Sequence, residues 1–182
     1  MWNRYALACL VWAFPVFAPI IPPLPPVTDD RQSIRRFIGA LERRGFTIQS
    51  NIFAGMAEHE SRSSHRTNRD PNRGVITGRD KDTGTMQIVV SHEEALKKRF
   101  GSNFSLTNLA DNLMGGAQLY EDWYLYYRKK GWSKREAMYR AVQAYNCGIV
   151  GRTWKSRIYR RRHYLYHVLH YGEGKPIPRK YR

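Results

Sequence analysis

The chain has 182 residues, enough for one domain with a proper core. Its 31 Lys and Arg against 15 Asp and Glu leave a net charge of +16, which implies an anionic partner: nucleic acid, a membrane surface or an acidic polymer. There are only two cysteines, Cys9 and Cys147, and Cys9 lies in an apolar leader, so a disulfide-stapled scaffold is excluded.

Met1 to Arg4 is a short positive start, and Tyr5 to Ile21 is almost wholly apolar. That pattern predicts a secretory leader or a retained anchor over residues 1–21. Pro15 and Pro19 argue against a straight membrane-spanning helix. Val16-Phe17-Ala18 could precede a cleavage point, although Pro19 is a poor neighbour for one. Ala6-Leu7-Ala8-Cys9 resembles a lipidation box, but the apolar run ahead of the cysteine is too short. A buried core helix fits badly at the extreme terminus behind an arginine. The expectation is export, to the periplasm or to an inner-membrane anchor facing it. Residues 22–28, rich in proline, read as a stiff polyproline-type spacer. Residues 29–172 read as one folded domain and 173–182 as a basic tail.

Asp29 and Asp30 open a helix with Ile34, Phe37, Ile38 and Leu41 on one face and Gly45 as its stop. A second helix is expected over about Ser50–Ser63. The polar stretch Ser64–Thr83, with Asp70-Pro71, Asn72, Gly74 and Gly78, reads as a long loop of the kind that is functional or disordered. Thr85–Val90 reads as a strand. Ser91-His92-Glu93-Glu94 is a capping box opening a helix that ends at Gly101. Thr107–Lys130 is a long helix stopped by Gly131. Ser133-Lys134-Arg135-Glu136 caps a helix reaching Cys147, and a last helix covers about Thr153–His170. The sum is a mainly α domain with a small β/loop region after the second helix.

That second helix carries the most telling residue. Phe53, Met56 and Ala57 recur at the spacing of one buried face, and Glu60 falls four past Met56 and three past Ala57. A carboxyl on an apolar face keeps its proton to higher pH, which is what a general acid requires. The plain alternative is a slightly rotated helix with Glu60 in water.

Metal readings are weak. His92-Glu93 and His59-Glu60 each lack the second histidine of a zinc-protease helix, because Leu96 and Ser63 stand there. His163, His167 and His170 share a helix face, where packing competes with metal binding. No metal and no cofactor is expected. Most glycosidases use two acids on opposite sides of the bond. Glu58 and Glu60 cannot form such a pair, since residues two apart on a helix face different ways. Asp80 and Asp82 are the nearby candidates, with solvated turn aspartates as the plain reading. Tyr120, Trp123 and Tyr127 share a face that suits a core, while Tyr124 and Tyr126 could stack on sugar rings or bases. Lys155, Arg157, Arg160, Arg161 and Arg162, interleaved with Tyr159 and Tyr164, could be a nucleic-acid patch or a solvated face drawn to an anionic surface. No base-reading motif accompanies them.

Four separated signals then line up: Glu60-Ser61, Gly84-Thr85-Met86-Gln87-Ile88, Asn112-Leu113-Met114-Gly115-Gly116, and Ala144-Tyr145-Asn146-Cys147-Gly148. In this order and at these distances they resemble the soluble lytic transglycosylase family, whose fold is lysozyme-like. Its pattern is Glu-Ser, Gly-Leu-Met-Gln, Asn-Ile with Gly four later, and Ala-Tyr-Asn-x-Gly. Thr85 departs from the usual Leu, Leu119 stands where Tyr is frequent, and the loop from Ser64 to Thr83 is unusually charged.

The resemblance implies cleavage of the β-1,4 bond between N-acetylmuramic acid and N-acetylglucosamine in peptidoglycan by one Glu and no metal. Glu60 matches that residue. It would protonate the glycosidic oxygen and then take the proton of the muramic acid's C6 hydroxyl, leaving a 1,6-anhydro end. The substrate's acetamido group would stabilise the developing cation, so no second carboxylate is needed. Tyr145 would orient or hydrogen-bond Glu60, Ser61 would support the site, and Met86, Gln87 and Asn146 would line the saccharide groove, with Tyr120 as a further substrate contact. The rivals are a true hydrolase on the same fold, with Asp80 or Asp82 placing a water, and a non-enzymatic basic envelope or nucleic-acid-binding module. Expected partners are glycan strands and an anionic membrane surface, in the setting of wall turnover or of a phage, conjugation or secretion assembly.

Overall fold

The computed structural model describes residues 23–62, 82–147 and 154–181, with backbone alone at 147, 154–161 and 181. The expected leader, Asp80 and most of the charged loop lie outside the described residues, and so do most side chains of the basic stretch on the last helix. The elements in order are α1 (Arg31–Arg43), α2 (Ser50–Ser61), β1 (Asp82–Thr83), β2 (Ile88–Val89), α3 (Glu93–Phe100), α4 (Leu109–Lys129), α5 (Lys134–Cys147) and α6 (Trp154–Glu173). No helix among the described residues is long and apolar enough to cross a membrane.

The α1 helix starts as its acids predict. Asp30 is the N-cap, and its Oδ1 accepts from Ser33 N at 2.8 Å. Ile34, Phe37, Ile38 and Leu41 are all buried. The expected proline-rich spacer is not a free arm here, because Leu24 and Val27 pack onto the core. Apolar residues among the prolines have a surface to cover and take it.

Two of the expected caps behave differently. Ser133 and Glu136 do make their reciprocal contacts at the start of α5, Glu136 N reaching Ser133 Oγ at 3.3 Å and Ser133 Oγ reaching Glu136 Oε2 at 2.7 Å. Ser91 caps nothing: it lies inside a 3₁₀ turn, Val90–His92, and α3 begins at Glu93 with no side-chain cap. Glu93 Oε1 is instead turned to Leu106 N at 3.4 Å. The expected strand Thr85–Val90 shrinks to Ile88–Val89, paired antiparallel with Asp82–Thr83, because residues 84–87 are spent on the turn that joins the two.

Helix α2 is the spine of the domain. It lies across α6 so closely that a Cβ on Gly55 would stand 2.3 Å from Val168 O, and one on Gly172 would stand 2.3 Å from Asn51 O. Only glycine at both positions lets the two backbones meet. Residues 52–58 of α2 are buried throughout, with Ile52, Phe53 and Met56 at the centre of a core shared with Leu113, Ala117, Val142 and Val168.

Candidate active site

Glu60 is in the last turn of α2, just before Arg62 ends the helix in the left-handed conformation at φ 55°. The two acids of this helix part company as their spacing requires. Glu58, buried, pairs with Arg31 of α1, while Glu60 faces Tyr164, Asn146 and Asp82. Burial raises the Glu60 pKa to about 7. The neighbouring Tyr164 hydroxyl pulls it back, the negative charge of Asp82 pushes it up, and Asn146 lowers it again. The carboxyl therefore keeps its proton near neutrality.

The turn facing it is pinned from below. Asn112, wholly buried in the first turns of α4, accepts from Met86 N at 2.9 Å through Oδ1. Its Nδ2 donates to Thr83 O at 2.9 Å and to Leu106 O at 3.1 Å. One carboxamide thus satisfies three buried backbone groups and holds residues 83–86 in place. One turn on, Gly116 leaves room for Met86, whose Cγ would be 2.6 Å from a Cβ there. Gln87 is held at φ 45°, a conformation uncommon for a residue with a Cβ, while its N and Nε2 donate to Gly84 O at 3.2 and 2.6 Å. Ser61 Oγ reaches Thr85 O at 2.9 Å and Ala57 O at 3.2 Å, which ties the end of α2 to the same turn.

The four sequence motifs therefore converge on one place, and the match to known proteins agrees. The family model of the transglycosylase SLT domain matches residues 40–166, well over half of the chain. The chain belongs to the SLT transglycosylase family. It is a mainly helical, lysozyme-like SLT domain, and its function is of the lytic-transglycosylase, peptidoglycan-cleaving type. No curated protein and no solved structure gives a match.

Within this SLT domain several expected contacts are redrawn. Tyr145 does not give its proton to Glu60, since its hydroxyl donates to Met86 O at 2.8 Å. It stays close enough that burial and then the charge of Glu60 push its own pKa well up. Met86 does not line a groove, because its side chain is fully buried against Gly116. Tyr120 is likewise core, edge-on to Phe53 at 6.4 Å, and it borders a separate cavity beside Ile48 and Met138. A tyrosine on the inner face of α4 has no route to the carboxyl at the other end of α2. Gln87 and Asn146 remain accessible.

Two roles escaped the sequence reading: that of Tyr164 beside Glu60, and that of Trp123 in a cleft with residues already singled out, Gln87, Tyr126 and Tyr145. Tyr164 was visible only as an aromatic among arginines, and what makes it a partner of Glu60 is the close α2–α6 crossing. A cleft of about 560 Å³ is walled by Gln87, Ile88, Val89 and His92 on one side and by Leu119, Trp123, Tyr126 and Tyr145 on the other. Trp123 and Tyr126 meet at right angles there, with ring centroids 6.1 Å apart. The shared face expected for Tyr120, Trp123 and Tyr127 therefore splits between the core, the cleft and a cation contact with Arg140. The histidines pack: His163 and His167 lie 4.3 Å apart and surround His59, whereas His170 turns its Nδ1 to Lys175 O at 3.0 Å. Burial, then the nearby charges of His167 and His163, hold the His59 pKa down to about 4.

Proposed function

We propose that this SLT domain cuts peptidoglycan strands between N-acetylmuramic acid and N-acetylglucosamine, leaving 1,6-anhydromuramic ends, with Glu60 as the one proton carrier. The observation that supports this most is a carboxyl kept protonated to about pH 7 in the turn where all four family motifs meet. Glu60 gives its proton to the glycosidic oxygen as the C1–O bond breaks. The C6 hydroxyl then closes on C1 and returns a proton to Glu60, so the enzyme is restored with no water consumed. Asn146 and Tyr164 stand beside the carboxyl and favour its charged form, offsetting part of the effect of burial, and Ser61 fixes the helix end that carries it. Gln87, Trp123 and Tyr126 give the adjoining cleft a polar edge and two aromatic faces of the kind that receive sugar rings. The apolar leader supports action in the bacterial envelope, where a +16 chain is drawn to anionic wall polymers and headgroups.

The test is product analysis on purified peptidoglycan. Transglycosylation yields anhydro ends, whereas hydrolysis yields reducing ends about 18 mass units heavier, one water. Glu60→Gln should lower the rate by about 10²-fold or more, the contribution expected of a positioned general acid. Wild-type rates in that variant, or reducing ends from the parent, would remove the assignment.

A further inference from the structure

Asp82 is the anomaly of the site. It opens β1, where its backbone is paired with Val89, and the next residue, Thr83, gives its carbonyl to the buried amide of Asn112. Two residues further, Thr85 O receives Ser61 Oγ from the end of α2. The strand and turn that follow Asp82 are thus tied to α4 through Thr83 and to the end of the helix that bears Glu60 through Thr85. Yet its Oδ1 is shut off from solvent and has no hydrogen-bond partner among the described residues. A buried carboxylate oxygen left so costs stability, and such groups persist where a site uses them. Among the described residues, the same aspartate is an acid whose charge bears on Glu60.

We propose that Asp82 is a positioning residue for the proton on Glu60: its carboxylate, with one oxygen shut off from solvent, adds to burial in making ionisation of the neighbouring carboxyl unfavourable. Two carboxyl groups in one poorly hydrated site resist carrying two negative charges, and the one with the drier surroundings holds the proton. No bond to substrate is assigned to Asp82. The arrangement rests on the reading of Glu60 as the general acid, and it adds a device that the four family motifs do not contain.

The experiment is a pH titration of the Glu60 side-chain carboxyl by ¹³C NMR in the intact chain, wild type against Asp82→Asn and Asp82→Glu. The expected result is a midpoint near 7 in wild type, displaced downward by about half a unit or more in Asp82→Asn and retained in Asp82→Glu. The alkaline limb of the kcat/KM profile on peptidoglycan should move the same way, because the acid is lost at lower pH. Coincident midpoints for wild type and Asp82→Asn would overturn the proposal. So would a uniform loss of rate at every pH with the midpoint unmoved, the result expected of a purely structural aspartate. The NMR readout needs no substrate. If the domain fails to cut glycan strands, the functional reading falls while the linkage between the two acids is still decided.

Discussion

The Oδ1 of Asn112 accepts the backbone N–H of Met86 at 2.9 Å with both groups buried, and the amide's other end holds Thr83 and Leu106. This one side chain converts the start of a long helix into the support of the turn that is tied to the end of the Glu60 helix. Asn112→Ala would orphan one N–H and two C=O groups, at about 1–3 kcal/mol for each buried polar group left unsatisfied. Equilibrium denaturation should show a loss of several kcal/mol, and the surviving folded fraction should cleave glycan more slowly because Gln87 is no longer held.

The contact between α2 and α6 makes a second prediction. A methyl group on Gly55 would have to displace the backbone at Val168 and Gly172, with atoms at 2.3 and 2.9 Å from the new carbon. Gly55→Ala should cost about 3 kcal/mol as overpacking that no rotamer can relieve, despite the better helix propensity of alanine. It should also move Tyr164 away from Glu60, so the Glu60 titration midpoint should shift in the folded variant. A helix-propensity gain, seen as a raised unfolding midpoint, would contradict the close crossing.

Glu60 itself should make the protein less stable as the pH rises. Its folded pKa of about 7 lies above the ordinary 4.5, so between these values the folded chain binds more protons than the unfolded one. The stability linked to that proton is complete below about pH 4.5 and is lost as the pH climbs through 7. Glu60→Gln, permanently neutral, should therefore be more stable than wild type at pH 8, by up to about 3 kcal/mol. The two proteins should converge at pH 4.5 and below. Parallel stability curves across this range would show Glu60 to be ordinarily hydrated.

Trp123 supplies a prediction about binding. It is only partly buried, its ring borders the cleft beside Gln87 and Tyr145, and Tyr126 stands at right angles to it. Trp123→Ala should raise KM for glycan strands about tenfold while changing kcat much less, since the ring contributes binding that does not depend on bond breaking. Equal losses in kcat and kcat/KM would place Trp123 in the chemistry instead.

The local code of this chain was legible from its residues. Apolar spacing marks α1 and α2, Asp30 and Ser133 mark where helices start, and the position of Glu60 on an apolar face already predicts a reluctant acid. These features depend on neighbours a few residues away, which a linear reading contains. The four motifs pointed to one site through their resemblance to a family pattern, whereas the burial of Asn112, the place of Gly116 beneath Met86 and the left-handed conformation of Gln87 show only in the structure.

What a linear reading lacked were the pairings across helices. Tyr145 lies near the end of α5 and Tyr164 in the middle of α6, and spacing alone could not say which one reaches Glu60. The crossing of α2 on α6, set by Gly55 and Gly172, brings Tyr164 to the acid, while the Met86 carbonyl claims the hydroxyl of Tyr145. Tyr120 and Trp123 are three residues apart on α4, yet one is core and the other borders the cleft, because a wide helix face is divided by whatever packs on it. Amino-acid order determined which helices exist and which acid is dry. The distances between distant residues, and hence which groups share a proton, were decided only when close-packed helices fixed one arrangement among many.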